Sequence, residues 1–168
     1  MSVDFKTEVV GIRDTVVLLK KTEPEVFKEF RSKAKFAVDP IVKDAQARLN
    51  KASNGKTAPL SGLVRPWGKK KGRIVPGWSQ QVAVKGVKVQ VRPSKTAFLT
   101  VTQRQIAPAV FDIAGRKKPN KLSRQLDMFA KASRTMWPAA ESKDDEVTRN
   151  LALLVDFVNA KTNRKLRY

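Results

Sequence analysis

Three stretches of this 168-residue chain hold side chains whose type and spacing suggest chemistry. Asp144-Asp145-Glu146 lines up three carboxylates, the raw material of a metal site or an acid–base pair. Consecutive helical residues point about 100° apart, so three in a row do not converge on one ion. At the first turn of a helix the same three acids complement the helix dipole, which accounts for all three. Gly62 to Lys70 invites comparison with a phosphate-binding loop. That loop needs four residues between its glycines and then Lys followed by Ser or Thr. Here five residues separate Gly62 from Gly68, and Lys69-Lys70 follows, so the comparison is rejected. The third stretch, Arg65-Pro66-Trp67-Gly68-Lys69-Lys70-Lys71-Gly72-Arg73, is the densest positive charge in the chain.

What is missing narrows the chemistry further. The chain has no histidine, hence none of the commonest general base and metal ligand. It has no cysteine, which excludes disulfides and thiolate metal sites. Carboxylate chemistry and oxygen-only metal sites remain open. The expectation is a protein that is not an enzyme and has neither cofactor nor metal.

Charge points to a binding role. Thirty-five Lys and Arg face fifteen Asp and Glu, a net +20. Residues 1–44 and 141–168 are each balanced to +1, whereas residues 45–111 hold thirteen basic residues and no acid. Residues 112–140 add a further +5. An acid-free segment repels itself, and a facing anion would offset that cost. The expected contacts are sequence-independent ones to nucleic-acid phosphates. They are assigned to Arg65, Lys69, Lys70, Lys71, Arg73, Lys85, Lys88 and Arg92. Trp67 and Trp78 bracket the basic stretch. They are read as anchors on the core or on a neighbouring subunit rather than as base-stacking platforms. Trp137 joins them as a candidate subunit contact.

The elements that must position these residues follow from periodicity. Residues 9–20 read as a short helix. Thr22-Glu23-Pro24-Glu25 reads as a helix start with a capping box. Phe27, Phe30, Ala34, Ala37, Ile41, Ala45 and Leu49 then trace a long amphipathic helix to about Lys51, which Pro40 should kink or split. Residues 52–77, rich in Gly and Pro, read as a basic loop. In 78–114 the alternation at 82–84 and 87–91 predicts a hairpin turning at Lys85-Gly86, with an apolar and a cationic face. Strands at 97–103 and 108–114 follow. Residues 115–136 read as a basic connector with a short helix near Leu126 and Phe129. Residues 137–168 read as the C-terminal helix, capped near Ser142 and burying Val147, Leu151, Leu154, Val155 and Val158. The fold class is α+β: one domain with its long N-terminal and C-terminal helices packed on a small antiparallel sheet. The apolar fraction of 41% suits a chain that buries a core. With no secretion signal and no membrane-length apolar run, the expected site of synthesis and assembly is the cytoplasm, with no membrane partner.

Ala58-Pro59-Leu60-Ser61-Gly62-Leu63-Val64-Arg65, then Val110-Phe111-Asp112-Ile113-Ala114-Gly115, then Trp137-Pro138-Ala139-Ala140 leading into a helix that runs to Asn163-Arg164-Lys165-Leu166 form an ordered series of motifs. In this order they resemble the neck and tail-completion proteins that join head to tail in long-tailed bacteriophages. The spacing of Leu63 and Arg65 and the basic insert 67–73 depart from that pattern. The resemblance implies a structural virion protein at the head-tail junction or the top of the tail. It also implies a homo-oligomeric ring whose partners are other phage neck and tail proteins and double-stranded DNA touched through phosphates. Lys69, Lys70, Lys71 and Arg73 would reach DNA in the lumen or an acidic neighbouring subunit. The alternative from another class is a free-standing, sequence-independent nucleic-acid-binding protein, ribosome- or nucleoid-associated. It needs only the charge and the basic loop.

Overall fold

The computed structural model describes residues 20–21, 23–54, 61–66, 68–91, 99–114, 124, 126–127 and 131–165. Residues 9–19 of the expected first helix, the Thr22 cap, Trp67, Arg92 and Phe129 lie outside those residues.

Helix α1 (Pro24–Ala37) starts with Pro24 at its first position, where no backbone N–H is needed. Its N-cap is Glu23, which makes no side-chain cap bond, so Glu25 falls one place early for the expected capping box. Val26, Phe30, Ala34 and Ala37 form its buried stripe. The chain breaks at Val38 and resumes as α2 (Asp39–Asn54). Pro40 explains the break, because it cannot donate to the carbonyl four residues back and its ring crowds that carbonyl. Of the two outcomes expected at Pro40, a kink or a split, the chain takes the split. In α2, Ile41, Val42, Ala45 and Leu49 are buried.

The reading of 52–77 as loop is corrected in three places. Helix α2 runs on to Asn54, and Ser61–Val64 makes one helical turn, α3. Strands β1 (Lys69–Lys70) and β2 (Arg73–Ile74) pair antiparallel, Lys69 with Ile74 and Lys70 with Arg73. The hairpin expected at 82–91 does not form. Residues Gln80–Gly86 are helix α4, with Ser79 as N-cap accepting from Val82 N at 3.2 Å. Two alternating valines are too few to tell a strand from one helical turn, and the serine cap decides. Gly86 is no turn glycine. A Cβ there would collide with the Gln103 side chain, so glycine makes room for a close approach.

The sheet is β3 (Val87–Val91) paired antiparallel with β4 (Leu99–Gln103), in register from Val87 opposite Gln103 to Val91 opposite Leu99. Val87, Val91 and Val101 are buried on its core face, while Lys88 is exposed on the polar one. The strand expected at 108–114 is instead helix α5 (Ile106–Ile113). Its Pro108 occupies the first turn, where a missing N–H costs nothing. The C-terminal segment is two helices, α6 (Met136–Ser142) and α7 (Asp144–Lys165), rather than one. Asp144, Asp145 and Glu146 occupy the first turn of α7, as the dipole reading expects. Ser142 does not cap that helix; its hydroxyl lies 3.1 Å from Asp44 Oδ2 and 3.2 Å from Ala139 O. Val147, Leu151, Leu154 and Val158 are buried as expected, and Val155 is half-buried.

The fold is α+β. Helix α2 lies at its centre against α4, α6 and β3, and α1 packs on α7 and β3. Asn150 of α7 donates to Ala37 O at 3.3 Å, and Lys161 pairs with Glu29, which fastens α7 along α1.

A buried polar hub closes the other end. Asp112 is fully buried, and its Oδ1 accepts from Thr135 N at 2.5 Å, Thr135 Oγ1 at 2.6 Å and Met136 N at 3.1 Å. A carboxylate 24 residues away thus caps α6, whose own N-cap residue makes no cap bond. Arg134, also buried, donates to the carbonyls of Leu126 (3.1 Å), Phe111 (2.9 Å) and Ala114 (2.9 Å) and to Asp127 Oδ1 (2.9 Å). Burial pulls its guanidinium below the usual range, and the Asp127 and Asp112 carboxylates oppose that shift. The rigid fork of arginine suits four acceptors spread over separate stretches of chain.

Candidate polyanion-binding face

The basic run is held as a tight hairpin. Lys71 and Gly72 both take left-handed backbone, φ +51° and +76°, the pattern of a two-residue type I′ turn. Val75 N donates to Gly68 O at 2.8 Å and extends the pairing beyond the two strands. The base is pinned as well. Trp78 N donates to Leu63 O at 2.6 Å, and a Cβ on Gly77 would collide with the Val64 carbonyl. Trp78 is buried, with its ring edge-on to Phe111 at 4.9 Å. It anchors the hairpin to the chain's own core, which leaves it no surface for a neighbouring subunit and removes it from the interface candidates.

A second element brings another cation alongside. Arg104 N continues the β4 ladder by donating to Gly86 O at 2.9 Å. Gln103, buried, donates to Ala83 O at 2.9 Å and accepts from Gln105 N at 3.0 Å, which holds the backbone on either side of Arg104. Lys71, Arg73 and Arg104 then line one open groove of ≈670 Å³ together with Ile74, Val75, Pro76, Gln105 and Ile106. No acid lines it.

Of the residues expected to meet an anion, Arg65, Lys69, Lys71, Arg73, Lys85 and Lys88 are all exposed. Lys70 lies in β1, with its side chain outside the described residues, as is all of Arg92. None of the six forms an ion pair among the described residues; the pairs present are Asp39–Lys43, Asp44–Arg48, Asp127–Arg134, Glu146–Lys143 and Glu29–Lys161. The fold brings Lys71 and Arg73 together in the groove. Arg65, Lys69, Lys85 and Lys88 do not line it.

The chain matches no family model, no curated protein and no solved structure.

Arg104 is the groove residue that sequence reasoning did not single out. Its signal is tertiary, because only the meeting of β4 with the Gly86 backbone sets it near the hairpin. Trp137 remains half exposed, at 49%. Among the described residues there is no group of three His, Cys, Asp or Glu placed to hold a metal, and no helix is long and apolar enough to cross a membrane.

Proposed function

We propose that this chain is a structural subunit of the head-to-tail joining region of a long-tailed bacteriophage. In this reading it is a neck or tail-completion protein that works as a homo-oligomeric ring and turns a basic surface to double-stranded DNA. The observation that carries the DNA-facing part is the set of exposed cations from Arg65 to Arg104 without a carboxylate partner among the described residues. Cations left unpaired on an acid-free segment fit a surface whose counterions come from a polyanion. No catalytic role is assigned.

The ring-forming part rests on the ordered motifs. Their described residues meet in space: Leu63 O takes Trp78 N, Trp78 lies on Phe111, and Asp112 caps the helix that holds Trp137-Pro138-Ala139. The motif residues thus link the base of the basic hairpin, α5 and α6 in one core. A subunit built on one such core can turn a basic surface to the lumen of a ring and other surfaces to its neighbours.

Duplex affinity measured against salt tests the DNA-facing part. The wild-type log K should fall linearly with log salt and be indifferent to sequence. Replacing Lys69, Lys85 and Lys88 together with Ala should flatten the slope by about 0.9 for each phosphate that is no longer neutralised. An unchanged slope, or no binding at low salt, overturns it.

A further inference from the structure

The groove at the hairpin is not built for phosphates alone. Ile74 is 64% exposed and Ile106 41% exposed, and they line the groove beside Lys71, Arg73 and Arg104. A phosphate backbone takes the cations and gains nothing from two isoleucines. A protein surface that offers both carboxylates and apolar side chains takes both.

The chain carries such a surface elsewhere. Glu141, Asp144 and Asp145 lie within five residues, are all exposed, and have no cation partner among the described residues. Trp137 is half exposed and stands four residues before Glu141 on α6, hence on the same helix face. Three cations without carboxylates therefore match three carboxylates without cations among the described residues, with Ile74 and Ile106 in the groove and Trp137 on the face of Glu141. The two surfaces belong to different elements. Helix α7 packs chiefly on α1, α2 and α6, whereas β1 and β2 pair chiefly with each other.

From this complementarity we propose that the Lys71–Arg73–Arg104 groove receives the Trp137–Asp145 segment of a second copy of this chain. The contact joins unlike surfaces, so it is head-to-tail and propagates until the rotation closes a ring. It deepens the ring reading above and rests on it. It also divides the cations: Lys69, Lys85 and Lys88 serve DNA, and the groove serves the neighbour. A contact of this kind is steered by charge and screened by salt.

Sedimentation velocity of the full chain without DNA tests it, with two charge-reversed variants. One is Lys71→Asp, Arg73→Glu, Arg104→Glu; the other is Glu141→Lys, Asp144→Lys, Asp145→Lys. Wild type should self-associate at low salt and fall to monomer near about 1 M salt. Each variant alone should self-associate about 100-fold more weakly. An equimolar mixture should regain assembly, because the reversed groove then meets the reversed segment. Glu141→Gln, Asp144→Asn, Asp145→Asn guards against misfolding of the second variant, and circular dichroism verifies all three folds. Folded variants that assemble like wild type, or a mixture that stays monomeric, overturn the proposal. A groove variant that assembles normally but loses duplex affinity reassigns the groove to DNA and overturns it too. Wild-type rings that persist in both variants would reject this contact and leave the ring reading standing, whereas a wild type monomeric at every concentration would reject both.

Discussion

The Thr135 hydroxyl donates to Asp112 Oδ1 at 2.6 Å, and both side chains are buried. The bond joins α5 to the start of α6 across 23 residues of chain. Thr135→Val keeps the shape and removes the donor. It should cost about 1–3 kcal/mol, with Asp112 keeping its two backbone donors. Urea unfolding of the two proteins, compared at equal m-value, gives the difference.

Arg134 should matter more. Arg134→Met takes a donor from three carbonyls at once, while the half-exposed Asp127 carboxylate turns to water, and should cost about 3–5 kcal/mol. Arg134→Lys should recover only part, because a single ammonium cannot span the same acceptors. Thermal melts of the pair would show the ranking, and equal melting temperatures for Lys and Arg would contradict it.

Two glycines hold the face in place by absence of a side chain. In Gly77→Ala the new methyl meets the Val64 backbone carbonyl, which cannot swing aside. In Gly86→Ala it meets the Gln103 side chain and displaces it from Ala83 O and Gln105 N. Each should cost about 1–3 kcal/mol in chemical denaturation.

Lys71 separates charge from geometry. Its left-handed backbone costs a lysine about 1–2 kcal/mol, and asparagine tolerates it better. Lys71→Asn should therefore leave stability equal or raise it by up to about 1 kcal/mol while self-association weakens. A destabilised variant would contradict the type I′ turn.

The parts of this fold written in local periodicity were readable. The α1 stripe (with Val26 buried in place of the expected Phe27), the α2 stripe, the break at Pro40, the strand expected at 97–103 and found at 99–103, and the acidic start of α7 all follow from residues within one or two turns of each other. The failures have one cause, short signals that two structures share. Lys71-Gly72 makes the hairpin turn that periodicity placed at Lys85-Gly86. The dipeptides are alike, and the valines around the second fit a strand as well as they fit the helix that Ser79 caps. Val110, Phe111 and Ile113 suit a strand when read alone, and Pro108 in the first turn of α5 is what admits them to a helix. Asp112, Arg134 and Arg104 have no local signal. Each acquires its place from partners distant in the chain, Asp112 from Thr135, Arg134 from Phe111 and Arg104 from Gly86.

Electron microscopy of the purified protein, with and without duplex DNA, tests the connector account most directly. The account predicts closed rings whose hole exceeds about 20 Å, wide enough for a duplex to pass. Protein that coats DNA as single copies and forms no ring at any concentration would contradict it.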